Sequence, residues 1–161
     1  MSTSKVTLSE QETYTVTGRQ AAKALMRAYD TERKRGNRSV INLIGAPGNA
    51  KTSIVRQFTD DLRARRAEEG LGSVGLYSLR LNQADPTDLK GVPCFIEVDE
   101  RQTCMFAAPE VFPLEGSPSS GKTDFCVIHL DELPQAPKSM QNLAANIIDG
   151  IIGDNVLDFD R

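Results

Sequence analysis

Tryptophan is absent from this chain and histidine occurs once. With His129 alone inside an apolar run and the three cysteines, Cys94, Cys104 and Cys126, outside any CxxC spacing, a zinc site has no ligand pattern to build on. Reduced thiols and a cytoplasmic location are expected. No run approaches the roughly 18 consecutive apolar residues of a membrane span. The N-terminal MSTSKVTLSEQE also lacks the basic and apolar regions of a secretory signal, so no membrane partner is expected. Basic excess is missing too: 19 Lys and Arg stand against 22 Asp and Glu, a net charge of -3. Such a balance argues against a surface built to neutralise nucleic-acid phosphates. Repeats and low-complexity tracts are likewise absent.

What is present is enough apolar material for a core. At 161 residues and 39% hydrophobic content the chain makes one domain, with residues 1–16 polar and loosely ordered and 17–161 folded. Thr17, followed three residues later by Gln20, opens a helix with Ala21, Ala22, Leu25, Met26 and Tyr29 on its apolar stripe and Lys34, Arg35 and Gly36 at its stop. Val40 to Ile44 reads as a short, fully buried strand. The helix after it carries Ile54, Val55, Phe58 and Leu62 on one side, and the charged run from Asp60 to Glu69, including Arg63, Arg65 and Arg66, covers its solvated end. A second strand is predicted over Val74 to Leu81. The stretch from Pro93 to Pro109 suggests a hairpin turning near Asp99, which would set Cys94 opposite Cys104. Pro113 to Asp124 has loop composition. Phe125 to Leu130 is a third buried strand, and after Pro137 a helix turns Met140, Leu143, Ala144, Ile147 and Ile148 inward. Strands separated by helices predict an α/β fold with a mainly parallel sheet.

The break in VINLIGAPGNAKTSIVRQF carries the chemistry. A strand ending at Gly45, a loop of Ala46, Pro47, Gly48, Asn49 and Ala50, and a helix opening at Lys51 or Thr52 point backbone N–H groups and the positive helix end into one concavity suited to a phosphate. In such a loop Lys51 reaches the terminal phosphates, and the hydroxyl of Thr52, next to Ser53, completes the coordination of a magnesium ion. Gly45 and Gly48 allow backbone conformations that a Cβ disfavours, and Pro47 stiffens the turn. Ala50 stands where G-x-x-x-x-G-K-[ST] has its last glycine, and an alanine there fits a helical N-terminus. The Gly-Lys-Thr of Ser120 to Asp124 precedes a strand and is read as a decoy.

A second element lies about 80 residues on. The apolar strand CVIHL delivers Asp131 and Glu132 at its C-terminal end, where ligands of open parallel sheets collect. Asp131 would hold the magnesium and Glu132 would act as general base toward water. His129 reads as a hydrogen-bonded core residue.

GAPGNAKTS together with VIHLDELPQAPKSMQNLAANIIDGIIGD resembles the AAA+ ATPases, and within them the MoxR-like group. PTDLKGVP, Pro86 to Pro93, is similar to the segment after that family's second strand. The resemblance runs from about Thr17 to Leu157, and departs from the family at Pro134 and Gln135. It implies a P-loop NTPase three-layer αβα architecture with Walker A and Walker B motifs, ATP and Mg2+ as cofactors, a homo-oligomeric ring and protein clients. It also implies that Asn82 holds Glu132 away from water until a partner engages. In that family the sheet order is 5-1-4-3-2, so a later strand separates the one before the phosphate loop from the one bearing Asp131. The expectation is therefore an N-terminal portion of a longer ATPase domain, incomplete at its C-terminus, with sensor and arginine-finger residues beyond Arg161, or a short form that borrows strands from another chain. Three other functions compete with a remodelling ATPase: a nucleotide-binding module without turnover, a small-molecule kinase, and a DNA motor.

Overall fold

The computed structural model describes residues 16–35, 40–46, 48–107, 109, 112, 123–152 and 155–156. Expectations for the N-terminal segment, Pro47, most of the loop from Pro113, the Gly-Lys of the decoy and Arg161 lie outside them.

Helix α1, Gly18–Arg35, starts where the capping box predicts: the Thr17 N–H donates to Gln20 Oε1 at 2.8 Å, and the Gln20 N–H returns to Thr17 Oγ1 at 3.4 Å. Ala21, Leu25 and Tyr29 form its buried stripe. Helix α2, Lys51–Glu68, buries Val55, Phe58, Thr59 and Leu62. Strand β1, Val74–Arg80, is followed by the short helix α3, Pro86–Lys90, capped by Asp85. Strands β2, Val92–Val98, and β3, Arg101–Ala107, form an antiparallel hairpin. Strand β4, Phe125–Asp131, leads through a single 3-10 turn, Leu133–Gln135, into helix α4, Lys138–Asp149. Ile151–Ile152 and Asn155–Val156, β5 and β6, then pair antiparallel.

The architecture is mixed α/β. β1 and β4 pair in parallel, in register from Val74 opposite Phe125 to Arg80 opposite Asp131. Helices cover both faces of this pair. On one side Val74, Phe125 and Val127 pack with Leu25, Tyr29, Phe58 and Leu62 of α1 and α2. On the other, Tyr77, Leu79, Ile128 and Leu130 pack with Leu81, Leu89, Met140, Leu143 and Ile147. Because side chains alternate across a strand, Ser78, Arg80, His129 and Asp131 continue the α2-facing row toward the C-terminal end of the sheet.

Arg63, Arg65 and Arg66 of α2 are engaged. Arg65 bridges Asp30 at 2.7 Å and Glu69 at 2.9 Å, Arg63 Nε donates to the Val74 carbonyl at 3.0 Å, and Arg66 Nη1 donates to the Tyr29 hydroxyl at 3.0 Å. These contacts clasp α1, α2 and the start of β1 together, which orders the groups that a nucleic-acid backbone would otherwise recruit.

Four expectations are corrected. Val40 to Ile44 forms no strand and belongs to no ladder among the described residues. Only Leu43 reaches the core, while Val40 and Ile44 are 64% and 85% exposed. An apolar strand is buried only when neighbours flank it, and here no described strand lies alongside. Cys94 faces Met105 and Phe95 faces Cys104; this one-residue offset puts the two thiols on opposite faces of the hairpin. Ile148 points outward, since the buried row of α4 passes through Met140, Leu143, Ala144 and Ile147. Lastly, β1 ends at Arg80 rather than Leu81, whose buried side chain belongs to the turn after it.

No helix among the described residues is long and apolar enough to cross a membrane.

Candidate functional site

The loop between Ile44 and α2 is closed by its own lysine. Lys51 Nζ donates to the carbonyls of Gly45 and Ala46 at 2.9 and 3.1 Å, and the Asn49 N–H reaches the Ala46 carbonyl at 3.3 Å. The ammonium is thus held over the loop by neutral acceptors. Anionic oxygens would displace these, because charge-assisted bonds are about twice as strong as those to neutral acceptors.

Backbone demands within the loop differ from those expected of its composition. Gly48 has φ 82°, a left-handed value that favours glycine. Gly45 does not, and a Cβ there would make only ordinary contacts, the nearest being Asn49 Nδ2 at 3.7 Å. Ala50, expected to sit in a helical conformation, is instead left-handed at φ 53°, ψ 24°, at the N-cap of α2. Its carbonyl still accepts the first helical bond, from Ile54 at 2.9 Å. An alanine is therefore held where a glycine would be unstrained, at a cost of about 1 kcal/mol.

Thr52, in the first turn of α2, and Asp131, the last residue of β4, meet directly. Thr52 Oγ1 donates to Asp131 Oδ2 at 2.8 Å across 79 residues of sequence. Asp131 Oδ1 accepts the N–H of Glu132 at 3.0 Å. Partial burial pushes the Asp131 carboxyl up, but the Thr52 hydroxyl, the nearby His129, the Glu132 N–H and Arg80 together hold it below the usual carboxylate range. It is an anion at neutral pH. Glu132 follows with φ 57°, a left-handed backbone rare for a residue bearing a side chain. Strain of this kind, on the order of 1–3 kcal/mol, persists where the surroundings impose it.

Three further residues belong to this neighbourhood and were not assigned to it from the sequence. Ser78 Oγ lies 3.0 Å from His129 Nδ1. Burial lowers the histidine's pKa, the Asp131 carboxylate opposes that, and Arg56 reinforces it, so the neutral imidazole is favoured. Arg80 stands opposite Asp131 at the end of the ladder. A signal was available: Ser78, Arg80 and Asn82 alternate toward the strand end as His129 and Asp131 do. It becomes legible only once the register of the two strands is known.

Of the residues expected to act together, the structure groups Lys51, Thr52, Asp131 and Glu132 at the junction of α2 and β4. Gly45, Ala46, Gly48, Asn49 and Ala50 form the loop above them. Ser53 is exposed and faces a groove between α1 and α2. Asn82 is exposed in the turn 81–83 after β1, beyond the Arg80–Asp131 pair. Pro47 lies outside the described residues. Among the described residues no group of three or more His, Cys, Asp or Glu side chains could hold a metal. The oxygen donors gathered here are one hydroxyl and one carboxylate, a set suited to magnesium, which keeps several waters and takes the rest of its shell from phosphates.

Comparison of the chain with protein-family models, with curated proteins and with solved structures gave no match.

Proposed function

We propose that the chain binds ATP with magnesium at the α2–β4 junction and hydrolyses it, as a P-loop ATPase of the AAA+ type similar to the MoxR-like group, working in a homo-oligomeric ring on protein clients. The observation that carries this reading is the 2.8 Å bond between Thr52 and Asp131. It joins the hydroxyl after the loop lysine to the carboxylate at the end of an apolar parallel strand, the two oxygens on which a phosphate-bound magnesium depends.

Each residue has a role in this reading. Backbone N–H groups around Gly48 and Asn49 and the N-terminus of α2 would receive phosphate oxygens. Lys51 would exchange the Gly45 and Ala46 carbonyls for phosphate. Thr52 and Asp131 would hold the metal, Asp131 already ionised. Glu132, in the left-handed turn after β4, would accept the proton of the attacking water. Asn82 is available to restrain Glu132. Bound magnesium–ATP supplies a polarised terminal phosphoryl group.

The test is calorimetric titration with ATP and magnesium, paired with a phosphate-release assay. Lys51→Ala is expected to weaken binding at least about tenfold, the loss of one charge-assisted contact. Glu132→Gln should bind as the parent does and release no phosphate. Equal binding by the parent and Lys51→Ala would sink the assignment. The exposed Val40 and Ile44 leave the segment before the loop outside any described sheet, and this favours a second reading, a nucleotide-binding module without turnover. Its signature is tight binding with no phosphate released by the parent.

A further inference from the structure

The chain's net charge of -3 is an average over unlike regions. Helix α1 holds six basic residues against two acidic, a net +4, so everything outside it sums to -7. At about 100° per residue, Arg19, Lys23, Arg27 and Lys34 fall within an arc of about 80° on the side of α1 opposite the buried Ala21, Leu25 and Tyr29. All four are exposed. They make a line of about 22 Å at the helical rise of about 1.5 Å per residue. Within the arc the only acidic residue is Asp30, whose carboxylate is taken by Arg65 of α2 at 2.7 Å. None of the four basic side chains has an ion-pair or hydrogen-bond partner among the described residues. Arg63, Arg65 and Arg66 of α2, by contrast, are bound to protein groups.

Folding does not account for this line. Like charges four residues apart, as in Arg19 with Lys23 and Lys23 with Arg27, destabilise a helix. Arg19 in the first turn also opposes the helix dipole, which favours acidic residues there. Of the four, Lys34 alone sits in the last turn, where the dipole favours a cation.

We propose that the solvent face of α1 binds the phosphate backbone of a nucleic-acid duplex through Arg19, Lys23, Arg27 and Lys34. A duplex presents one negative charge per about 1.7 Å of axis, so each cation on the line meets a phosphate whatever the register. The counterions released supply the free energy. An acidic protein surface fits less well: protein contacts draw their energy from buried aromatic and apolar anchors, with exposed charge pairs adding little, and the arc holds no apolar side chain. An anionic membrane also fits less well, because an interfacial helix inserts its apolar face into lipid, and that of α1 is packed with Phe58, Leu62 and Phe125. This goes beyond the proposed nucleotide site, to which α1 supplies no residue, and the test uses neither ATP nor magnesium.

The measurement is fluorescence anisotropy of a labelled duplex DNA of mixed sequence, titrated with the full chain over a salt series. Four phosphate contacts predict that log K falls against log salt with a slope of about -3.6, a loss of roughly 100-fold between about 50 and 200 mM. Lys23→Gln and Arg27→Gln should each make the slope shallower by about one, and Arg19→Glu/Lys23→Glu/Arg27→Glu should abolish binding. Lys90→Gln and Lys138→Gln, at exposed cations elsewhere, should keep the parent's slope. Lys23→Gln relieves two like-charge contacts, so its thermal midpoint, followed by circular dichroism, should stay at or above that of the parent. A parent that does not bind the duplex overturns the proposal, as does a slope that the α1 variants leave unchanged. So does displacement of the labelled duplex by poly-glutamate or by phosphatidylserine vesicles as effective, charge for charge, as that by unlabelled duplex; these outcomes assign α1 to an acidic protein or to a lipid surface.

Discussion

The β1–β4 pair and the β2–β3 hairpin are built from strands of the same length, seven residues each, and meet opposite fates. The parallel pair lies between helices and delivers Arg80 and Asp131 side by side at one end. The hairpin is antiparallel, closes on itself through a two-residue turn, and is exposed along both strands apart from the half-buried Cys94. Parallel strands need a crossover that covers them, whereas a hairpin forms by local closure with nothing on top. One pair is a covered scaffold, and the other a projection with exposed apolar side chains.

The contrast can be broken most directly at its buried side. Leu62 on α2 is wholly buried against Val74 and Phe125, so Leu62→Ala should cost about 3 kcal/mol in urea denaturation. Truncating Ile96 in the hairpin should cost less than about 1 kcal/mol. Equal losses would mean the hairpin shares the core. Next in size is Gly91, which has φ 85° and whose absent Cβ would run into the Ala107 carbonyl at the hairpin's base. Gly91→Ala should unzip β2 and β3 while β1 and β4 stay protected, read residue by residue by amide hydrogen exchange. Loss of protection in β4 as well would show the two regions to be one cooperative unit.

A smaller, stabilising change tests the strain above the parallel pair. Ala50→Gly should raise the unfolding free energy by about 1 kcal/mol, since glycine takes the left-handed N-cap freely. A destabilised variant would mean that this turn is not left-handed in solution. The smallest effect concerns the pin at the start of the pair, where Asp124 accepts from the N–H and hydroxyl of Ser73 at 2.8 and 2.9 Å. The Ser73 N–H and hydroxyl hold the Asp124 pKa below the ordinary value, against a minor opposing effect of burial. Its contribution is therefore complete above the unfolded pKa of about 3.9 and fades as pH falls through the lower folded value. The difference in thermal midpoint between the parent and Asp124→Asn should accordingly shrink on acidification below about pH 4.

The elements that were legible in the sequence are those set by nearby residues. Thr17 and Gln20 announced the start of α1, the turn near Asp99 announced the hairpin, and Pro137 announced α4. Failures came where a distant partner or a tight turn decides. Val40 to Ile44 has the composition of a core strand, yet burial depends on flanking strands and none of the described ones lies beside it. Ala50 looked helical because it precedes a helix, whereas the N-cap before Lys51 takes a left-handed turn.

Composition and periodicity determined by themselves that α/β elements alternate and that a helix opens at Lys51 after the loop holding Gly48, because these follow from chain-local sterics and hydrogen bonding. Only the tertiary structure decided that Thr52 touches Asp131, that Ser78 and Arg80 stand beside His129 and Asp131, and that the hairpin stays uncovered. Those facts depend on the register between strands about 50 residues apart in sequence, which packing of the apolar faces selects and no local pattern encodes.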